Sequence, residues 1–446
     1  MIERWQELVQ EKAYAELRRE LVEYNEADIA AFLEELTDRH ELIRVFRVLP
    51  KDMAADVFAF LDIEVQQQII ASMTDREAGD ILSNLFADDA ADLLEEMPAN
   101  VVKRLLANTD AETRQNINHL LRYPEDSAGS IMTVEFVDLK AALTVQEAIQ
   151  KLRKIGVDKE TIYTCYVLDP QRKLIGTVSL RKLLLSQDEE KIEAIMEERP
   201  ITTHTLMDQE EVALMFQKYD FTSMPVVDSE NRLVGIITVD DIVDIMQQEA
   251  TEDIEKMAAI TSSDMPYMRT GVFETFKKRV PWLLLLMISA AFTGEIIQMY
   301  ESALAACVVL TSFIPMLMGT GGNAGGQASA TIIRGLSLDE IEFGDFFRVV
   351  WKELRVALLC GVVLAAANFV KLLVVDQVGP MIALVVCITL VATLIAAKLI
   401  GSALPILAKK VGFDPAVMAS PLITTILDTL SLIIYFQVAT SLLQIG

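Results

Sequence analysis

The chain is poor in the residues that carry most enzyme and redox chemistry. It holds 3 His and 4 Cys in 446 residues. His40, His119 and His204 lie far apart and form no constellation with a nucleophile, which argues against an enzyme. Cys165, Cys307, Cys360 and Cys387 lack C-x-x-C spacing and a partnering His, so a dedicated Zn²⁺ or Cu⁺ centre is excluded. They read as small buried hydrophobes in a reducing compartment. No G-x-x-x-x-G-K-[ST] and no phosphorylated-Asp motif occurs, so ATP hydrolysis has no seat. The opening residues, Met1 to Glu20, are charged and helical in pattern rather than a signal peptide. Basic residues are scarce as well: 39 Lys and Arg stand against 65 Asp and Glu, a net charge of -26. That balance repels phosphates and argues against nucleic acid as a partner.

The acid is unevenly spread. Residues 281–446 carry 8 Lys and Arg and 10 Asp and Glu, so nearly all the net charge belongs to residues 1–280. Two different materials join near Pro281. The acidic part suits binding of cations, with a well-solvated acidic surface as the plainer reading.

The acidic part contains two repeats. Taken every twelfth residue, Val45, Val57, Ile69, Ile81, Leu93 and Leu105 are apolar, as are Phe46, Phe58, Ile70, Leu82, Leu94 and Leu106, and Leu49, Leu61, Met73, Leu85 and Met97. Within each unit these positions lie 1 and 3 apart, one face of a short helix. Twelve residues allow about two turns and a tight connection. The expectation is an α-solenoid over about 20–122. The second repeat places "SIMTVEFVDL…CYVLDPQRKLIGTVSLRKLL" against "EAIMEERPIT…SMPVVDSENRLVGIITVDDIVDI". Each copy reads strand, helix, strand, turn, strand, helix, and the pair resembles tandem CBS domains. Lys182 in the first copy stands where the second has Asp241.

From "QQEATEDIEKMAAI" to "FETFKKRVPW" the chain reads as one long connecting helix. Apolar runs follow at about 282–300, 304–333, 349–374, 380–403 and 416–441, each able to span a core of about 30 Å. With the acidic domains in the cytoplasm, Lys277, Lys278, Arg279, Arg334, Arg348, Lys352, Arg355, Lys409 and Lys410 fall inside and Lys371 outside. This agrees with the positive-inside rule. Lys398, near the inner end of the fourth span, is expected to snorkel.

Asp428 lies inside the last run. A carboxylate there costs about 2.5–3.5 kcal/mol on insertion scales. Ser420, Thr424, Asp428 and Ser431 fall at i, i+4, i+8 and i+11, one polar stripe on an oily helix. A water-filled pore wall accounts for it; the alternative is a structural acid paired with Lys398. In "FIPMLMGTGGNAGGQASA", Gly321 with Gly325 and Gly322 with Gly326 are GxxxG pairs. Such pairs mean close helix packing, or backbone laid bare beside water.

The stretches "GTGGNAGGQ", "RGLSLDEIEFGDFFRVVWKEL" and "DPAVMASPLITTILDTL", in order after the solenoid and the CBS pair, resemble the MgtE family of magnesium channels and transporters over nearly the whole chain. The resemblance implies a multidomain membrane protein: an α-solenoid over 1–125, tandem CBS domains over 126–249, a connecting (plug) helix over 250–280 and five transmembrane helices over 281–446. It implies a homodimer in the lipid bilayer of the cell membrane. The central pore would take Asp428 from both subunits, with Thr424, Ser420 and the backbone of Gly321, Gly322, Asn323 and Gly325 close by. Ala419-Ser420 departs from the glycine or asparagine that family members often carry before Pro421. The family's metal-sensing acids map onto Asp208, Glu210, Asp220, Asp241, Glu249, Glu252 and Asp253. Asp56, Asp88 and Asp92 are their solenoid partners, with Asp89 an alternative. Members of the family can bind ATP, for which Thr238 and Asp241 offer phosphate and ribose contacts.

The charge distribution then suggests regulation. Closely packed acids repel, and divalent ions bridging them permit compaction. High cytosolic Mg²⁺ would close the channel and low Mg²⁺ open it. A membrane receptor that senses metal or nucleotide without conducting is the alternative. Glu295 has no role in this pattern.

Overall fold

The computed structural model describes residues 1–446 apart from 263–266, 268, 269, 419 and 446, and only the backbone at Asp52, Ser289 and Ser420. The chain divides into two compact units, Met1–Met246 and Gln247–Gly446.

The first unit opens with ten short helices, from Ile2–Gln10 to Ala111–Leu120. The twelve-residue apolar positions are its core: Val45, Val57, Ile69, Leu93 and Leu105 are wholly buried. Local chemistry sets the helix starts. Thr74 and Glu77 form a capping box at Asp75–Leu82, and Asn25, Asp38 and Asp110 cap theirs. The solenoid begins earlier than the repeat suggests. Trp5, Leu8, Leu17 and Leu21 of the first two helices join the same core, although their spacing does not follow the twelve-residue rule.

Two small sheets follow. The first has strands Asp138–Lys140, Thr164–Leu168, Leu174–Ser179 and Glu197–Glu198 in that order; the second has Thr203–His204, Ser223–Val227 and Leu233–Thr238. In each, the first pair is parallel and the next antiparallel. Thr133 bridges to Ile236 and Lys173 to Arg232, tying one repeat to the other.

The expected long connecting helix is two helices. Val239–Met257 ends where Ala259 takes a left-handed φ of 55°, and Val272–Met299 begins anew. The intervening "ITSSDMP" holds poor helix formers and a proline.

Among the described residues of the second unit four helices are long and apolar enough to cross a membrane: Val272–Met299, Phe343–Val374, Pro380–Val411 and Pro415–Leu443. The run expected at 304–333 is instead a short helix Glu301–Ala306, a tight 3₁₀ stretch Val308–Phe313 and the helix Ile314–Ser337, with Pro315 in its first turn. Ile314–Ser337 has 24 residues, enough length to span, but its glycines and polar residues keep it out of that apolar class. It packs between Pro380–Val411 and Ser420–Leu443. Cys165 and Cys387 are buried as expected, whereas Cys360 is exposed; it lies on an apolar helix.

Candidate functional site: an intramembrane carboxylate and an acidic cluster

Small residues let the helices of the second unit approach closely. A Cβ at Gly321 would lie 2.8 Å from Thr393 and 3.0 Å from Ser431, and one at Gly322 would lie 2.8 Å from Thr424. Gly325 faces Leu427 and Ile423, and Gly401 abuts the Gly325 carbonyl. These glycines therefore serve helix crossing. Asn323, between them, is exposed.

The contact at Gly322 fixes Ile314–Ser337 against Ser420–Leu443 one turn before Asp428. Asp428 is half-buried, and among the described residues its carboxylate makes no hydrogen bond or ion pair. Lys398, the partner that a structural role would need, is engaged elsewhere. Its Nζ lies 3.5 Å from Glu353 Oε2, and the two side chains are 9% and 12% exposed. Lys398 does not snorkel, because Glu353 on Phe346–Val374 holds it inside. Of the polar stripe, Thr424 and Asp428 are half-buried, while Ser431 turns into the bundle at Gly321. The Ser420 side chain lies outside the described residues. Glu295 is exposed.

The Lys398–Glu353 pair leads to a stability expectation. Removing one partner strands the other charge, at a cost of about 3–5 kcal/mol. Lys398→Met is expected to lower the thermal unfolding midpoint in detergent, and Lys398→Met with Glu353→Leu to recover most of it. Equal midpoints for the single variant and the native chain would contradict this.

In the first unit the helix Ala87–Glu95 carries Asp88, Asp89 and Asp92. Asp88 and Asp89 open the helix beside Glu135, whose carboxylate accepts from Thr133 Oγ1 at 2.6 Å and Val134 N at 3.1 Å. The Asp88 Oδ1 atom is buried with no hydrogen-bond partner among the described residues. Burial first, then the charges of Asp89, Asp241 and Glu160, push the Asp88 carboxyl well above the usual range. Burial, with Asp241, Asp240 and Glu135, raises Asp89 to about 6. Asp241 is raised to about 6, mainly by burial, against the stabilising hydrogen bond from Thr238 Oγ1 at 2.8 Å. Burial and the charges of Asp241, Asp240 and Asp89 lift Glu160 to about 8. Asp92 is pushed to about 7 by the surrounding protein and by Asp89. Its surface is still open to solvent, so water screens it and the argument rests on Asp88, Asp89, Asp241 and Glu160.

Asp88 and Asp241 were legible in sequence as members of one set; Glu135 and Glu160 were not. Each lies on a loop of the first CBS repeat, and nothing in the spacing marks it. Asp56 lies three helices earlier, on Lys51–Ala59, and is exposed. Asp208 caps Gln209–Tyr219, accepting from Glu210 N at 2.9 Å, while Asp220 ends that helix with φ 54°. Flanking an eleven-residue helix, these acids stand about 18 Å apart along its axis, so one chain cannot bring both to one ion.

In the second unit Glu249, Glu252 and Asp253 lie near the end of Val239–Met257. Lys256 Nζ bridges Glu252 Oε1 and Asp414 Oδ2, each at 2.7 Å. Burial opposes the ammonium, yet the two carboxylates hold its pKa above the ordinary lysine value. Asp253 accepts from Ser337 Oγ at 2.9 Å, and Met257 packs on Ile333 and Ala416. The helix end is thus fastened to the ends of the glycine helix and the segment before Ser420. Lys256, Asp414 and Ser337 were missed in sequence, although Lys256 stands i+4 from Glu252. Among the described residues no group of three His, Cys, Asp or Glu side chains is placed to hold a metal ion. One or two carboxylates with retained waters is the usual Mg²⁺ arrangement.

The comparisons with known proteins cover the whole of this architecture. Residues 314–438 match the MgtE family model, described as a divalent cation transporter; residues 24–126 match the MgtE intracellular N domain; and 128–188 and 192–248 match CBS domains. The magnesium transporter MgtE of Thermus thermophilus is 39% identical over 447 residues, covering 98% of each chain. That of Bacillus subtilis is 35% identical over 441 residues, covering 98% of this chain and 96% of its own. The chain belongs to the MgtE family. A solved cytosolic domain of the Mg²⁺ channel MgtE, in complex with ATP, matches with a TM-score of 0.52 at 38% identity, covering 55% of this chain and 100% of that one. The soluble part of a magnesium transporter matches with a TM-score of 0.53 at 33% identity, covering 56% and 98%. As an MgtE member the chain joins a cytosolic domain pair to an apolar helical region, and the two acid-bearing sites fall one in each.

Proposed function

We propose that this MgtE chain carries Mg²⁺ across the cell membrane as a homodimer and is regulated by cytosolic Mg²⁺. It is a transporter and not an enzyme. The Ile314–Ser337 helix joins the four apolar helices as a fifth crossing in the bilayer, with the solenoid and CBS domains in the cytoplasm. The observation that carries the reading is the half-buried Asp428 carboxylate, with Lys398 committed to Glu353. An intramembrane acid without a counter-charge points to an ion path. Two such acids, one per subunit, suit a cation that sheds water reluctantly. Thr424, one turn from Asp428, Ser420, Asn323 and the backbone of Gly321, Gly322 and Gly325 are proposed to line the same path. The driving force is the membrane potential, about 2.3 kcal/mol per charge per 100 mV.

Regulation rests on the acids. Asp88, Asp89, Asp241 and Glu160 are held together in the first unit at an electrostatic cost that a divalent cation would relieve. Asp56, Asp92, Asp208, Glu210, Asp220, Glu249, Glu252 and Asp253 extend the same role, in part across the dimer. ATP is a further regulator, at Thr238 and Asp241. Because Asp240 and Glu160 crowd Asp241, a phosphate there would arrive with its own cation.

The test is Mg²⁺ flux in liposomes holding the purified chain, with cytosolic-side Mg²⁺ varied. Flux at low Mg²⁺ that falls as Mg²⁺ rises is expected. A correctly folded, reconstituted chain that carries no Mg²⁺ would falsify transport; flux indifferent to cytosolic Mg²⁺ would remove only the regulation.

A further inference from the structure

The acidic unit contains a basic cleft. It lies between the last solenoid helix and the two CBS hairpin turns, is open to solvent and has a volume of about 820 Å³. Arg114, Arg122, Arg172 and Arg232 line it, over a floor that includes Phe136 and Leu233.

The fold assembles these arginines from three places. Arg114 lies on Ala111–Leu120, and Arg122 follows just past its end, i+8 from Arg114. The other two come from matching turns of the CBS repeats. Asp169 accepts from Gln171 N and Lys173 N, both at 2.8 Å; Asp228 accepts from Glu230 N at 2.8 Å and Arg232 N at 2.9 Å. The turns pair with each other through Leu174 N to Asn231 O and Leu233 N to Arg172 O, each at 3.1 Å. That pairing sets Arg172 and Arg232 on neighbouring strand starts.

The arginines are only partly matched by acid. Arg232 meets Glu230 at 2.6 Å, and Arg114 donates to the Leu106 carbonyl at 3.5 Å. Among the described residues the Arg122 and Arg172 guanidinium groups have no partner. Of the two carboxylates in the lining, Glu112 and Asp228, Asp228 is spent on its turn amides. Like charges held together without a counter-ion repel, and guanidinium forks match phosphate oxygens in pairs. The volume falls within the roughly 300–1,000 Å³ of small-molecule sites.

We propose that this cleft is an anion site for a polyphosphate group, free or carried on a nucleotide. It is distinct from the acid-crowded region where Asp241 lies beside Asp88, Asp89 and Glu160. The inference does not rest on the transport reading.

The experiment is calorimetric titration of the full chain in detergent, free of Mg²⁺, with inorganic pyrophosphate and separately with ATP. Saturable binding of pyrophosphate is expected, weakening as NaCl is raised. The pair Arg122→Ala and Arg172→Ala should weaken it at least tenfold, with an unchanged thermal midpoint because both side chains are exposed. Binding of ATP as well as pyrophosphate, both lost in the arginine variant, assigns a nucleotide-borne phosphate as an admissible source; pyrophosphate alone assigns the free anion. Absence of saturable pyrophosphate binding overturns the proposal. So does ATP binding that survives the arginine changes but is lost in Thr238→Val, with pyrophosphate unbound.

Discussion

Replacing Asp428 by asparagine is expected to reduce Mg²⁺ flux at least a hundredfold, in a variant that folds and elutes like the native chain. Asparagine keeps the size and the hydrogen-bonding carbonyl but removes the charge. Two unit charges of opposite sign about 5 Å apart interact by roughly 3 kcal/mol at an effective dielectric of 20, and a divalent ion doubles this. Even half of that attraction, lost from each subunit of the proposed homodimer, exceeds the roughly 2.8 kcal/mol of a hundredfold change. Asp428→Glu keeps the charge and should keep part of the flux. The measurement is fluorescence-reported Mg²⁺ entry into liposomes. Unchanged entry in Asp428→Asn would remove the carboxylate from the ion path.

Lys398 supplies the contrast. Its substitution is expected to act on stability, through Glu353, with the flux per folded channel far less affected. Loss of flux from Lys398→Met at full stability would mean that the lysine, rather than the aspartate alone, sets the field in the path.

Much of this molecule is written locally. The solenoid is legible because each twelve-residue unit buries the same positions, so packing repeats with the sequence; Val57, Ile69 and Leu93 obey it. The CBS repeats are legible through matched turns, since Asp169 and Asp228 cap their hairpins in the same way. Asp428 stands out because a charge in an apolar run is conspicuous. What escapes is decided by tertiary partners. Glu353 looks like an ordinary acid near a membrane surface until Lys398 comes within 3.5 Å. Glu135 and Glu160 enter the acidic cluster only because the loops of the first CBS repeat fold beside the helix Ala87–Glu95. The connecting helix reads as continuous because charged, helix-forming residues flank a short weak stretch, and Ala259 takes a left-handed φ without a glycine to announce it. Gly321 and Gly325 read equally well as packing or as bare backbone, and only the folded chain shows Thr393 and Leu427 approaching them closely.

The second large effect concerns that acidic cluster and pH. In the absence of divalent cation, protection of the helix Ala87–Glu95 against hydrogen exchange is expected to fall as pH rises from about 5 to about 8, after correction for intrinsic exchange. The sign follows from linkage. Asp89 and Asp241 are raised from 3.8 to about 6 and Glu160 from 4.5 to about 8 in the folded chain. Between the ordinary carboxylate values and these, the native state holds protons that the unfolded state has released, so stability falls with rising pH through that window. One unit of raised pKa corresponds to about 1.4 kcal/mol, or tenfold in the opening equilibrium, so at least a tenfold loss of protection is expected. Mg²⁺ at pH 8 should restore it, because a hydrated cation held beside one or two of these carboxylates takes the place of the protons. Asp89→Asn with Glu160→Gln should raise protection at pH 8 without metal and shrink the response to Mg²⁺. Protection independent of pH, or a full Mg²⁺ response in the doubly neutralised chain, would place the sensor elsewhere, and the Lys256 junction with Glu252 and Asp414 would become the next group to titrate.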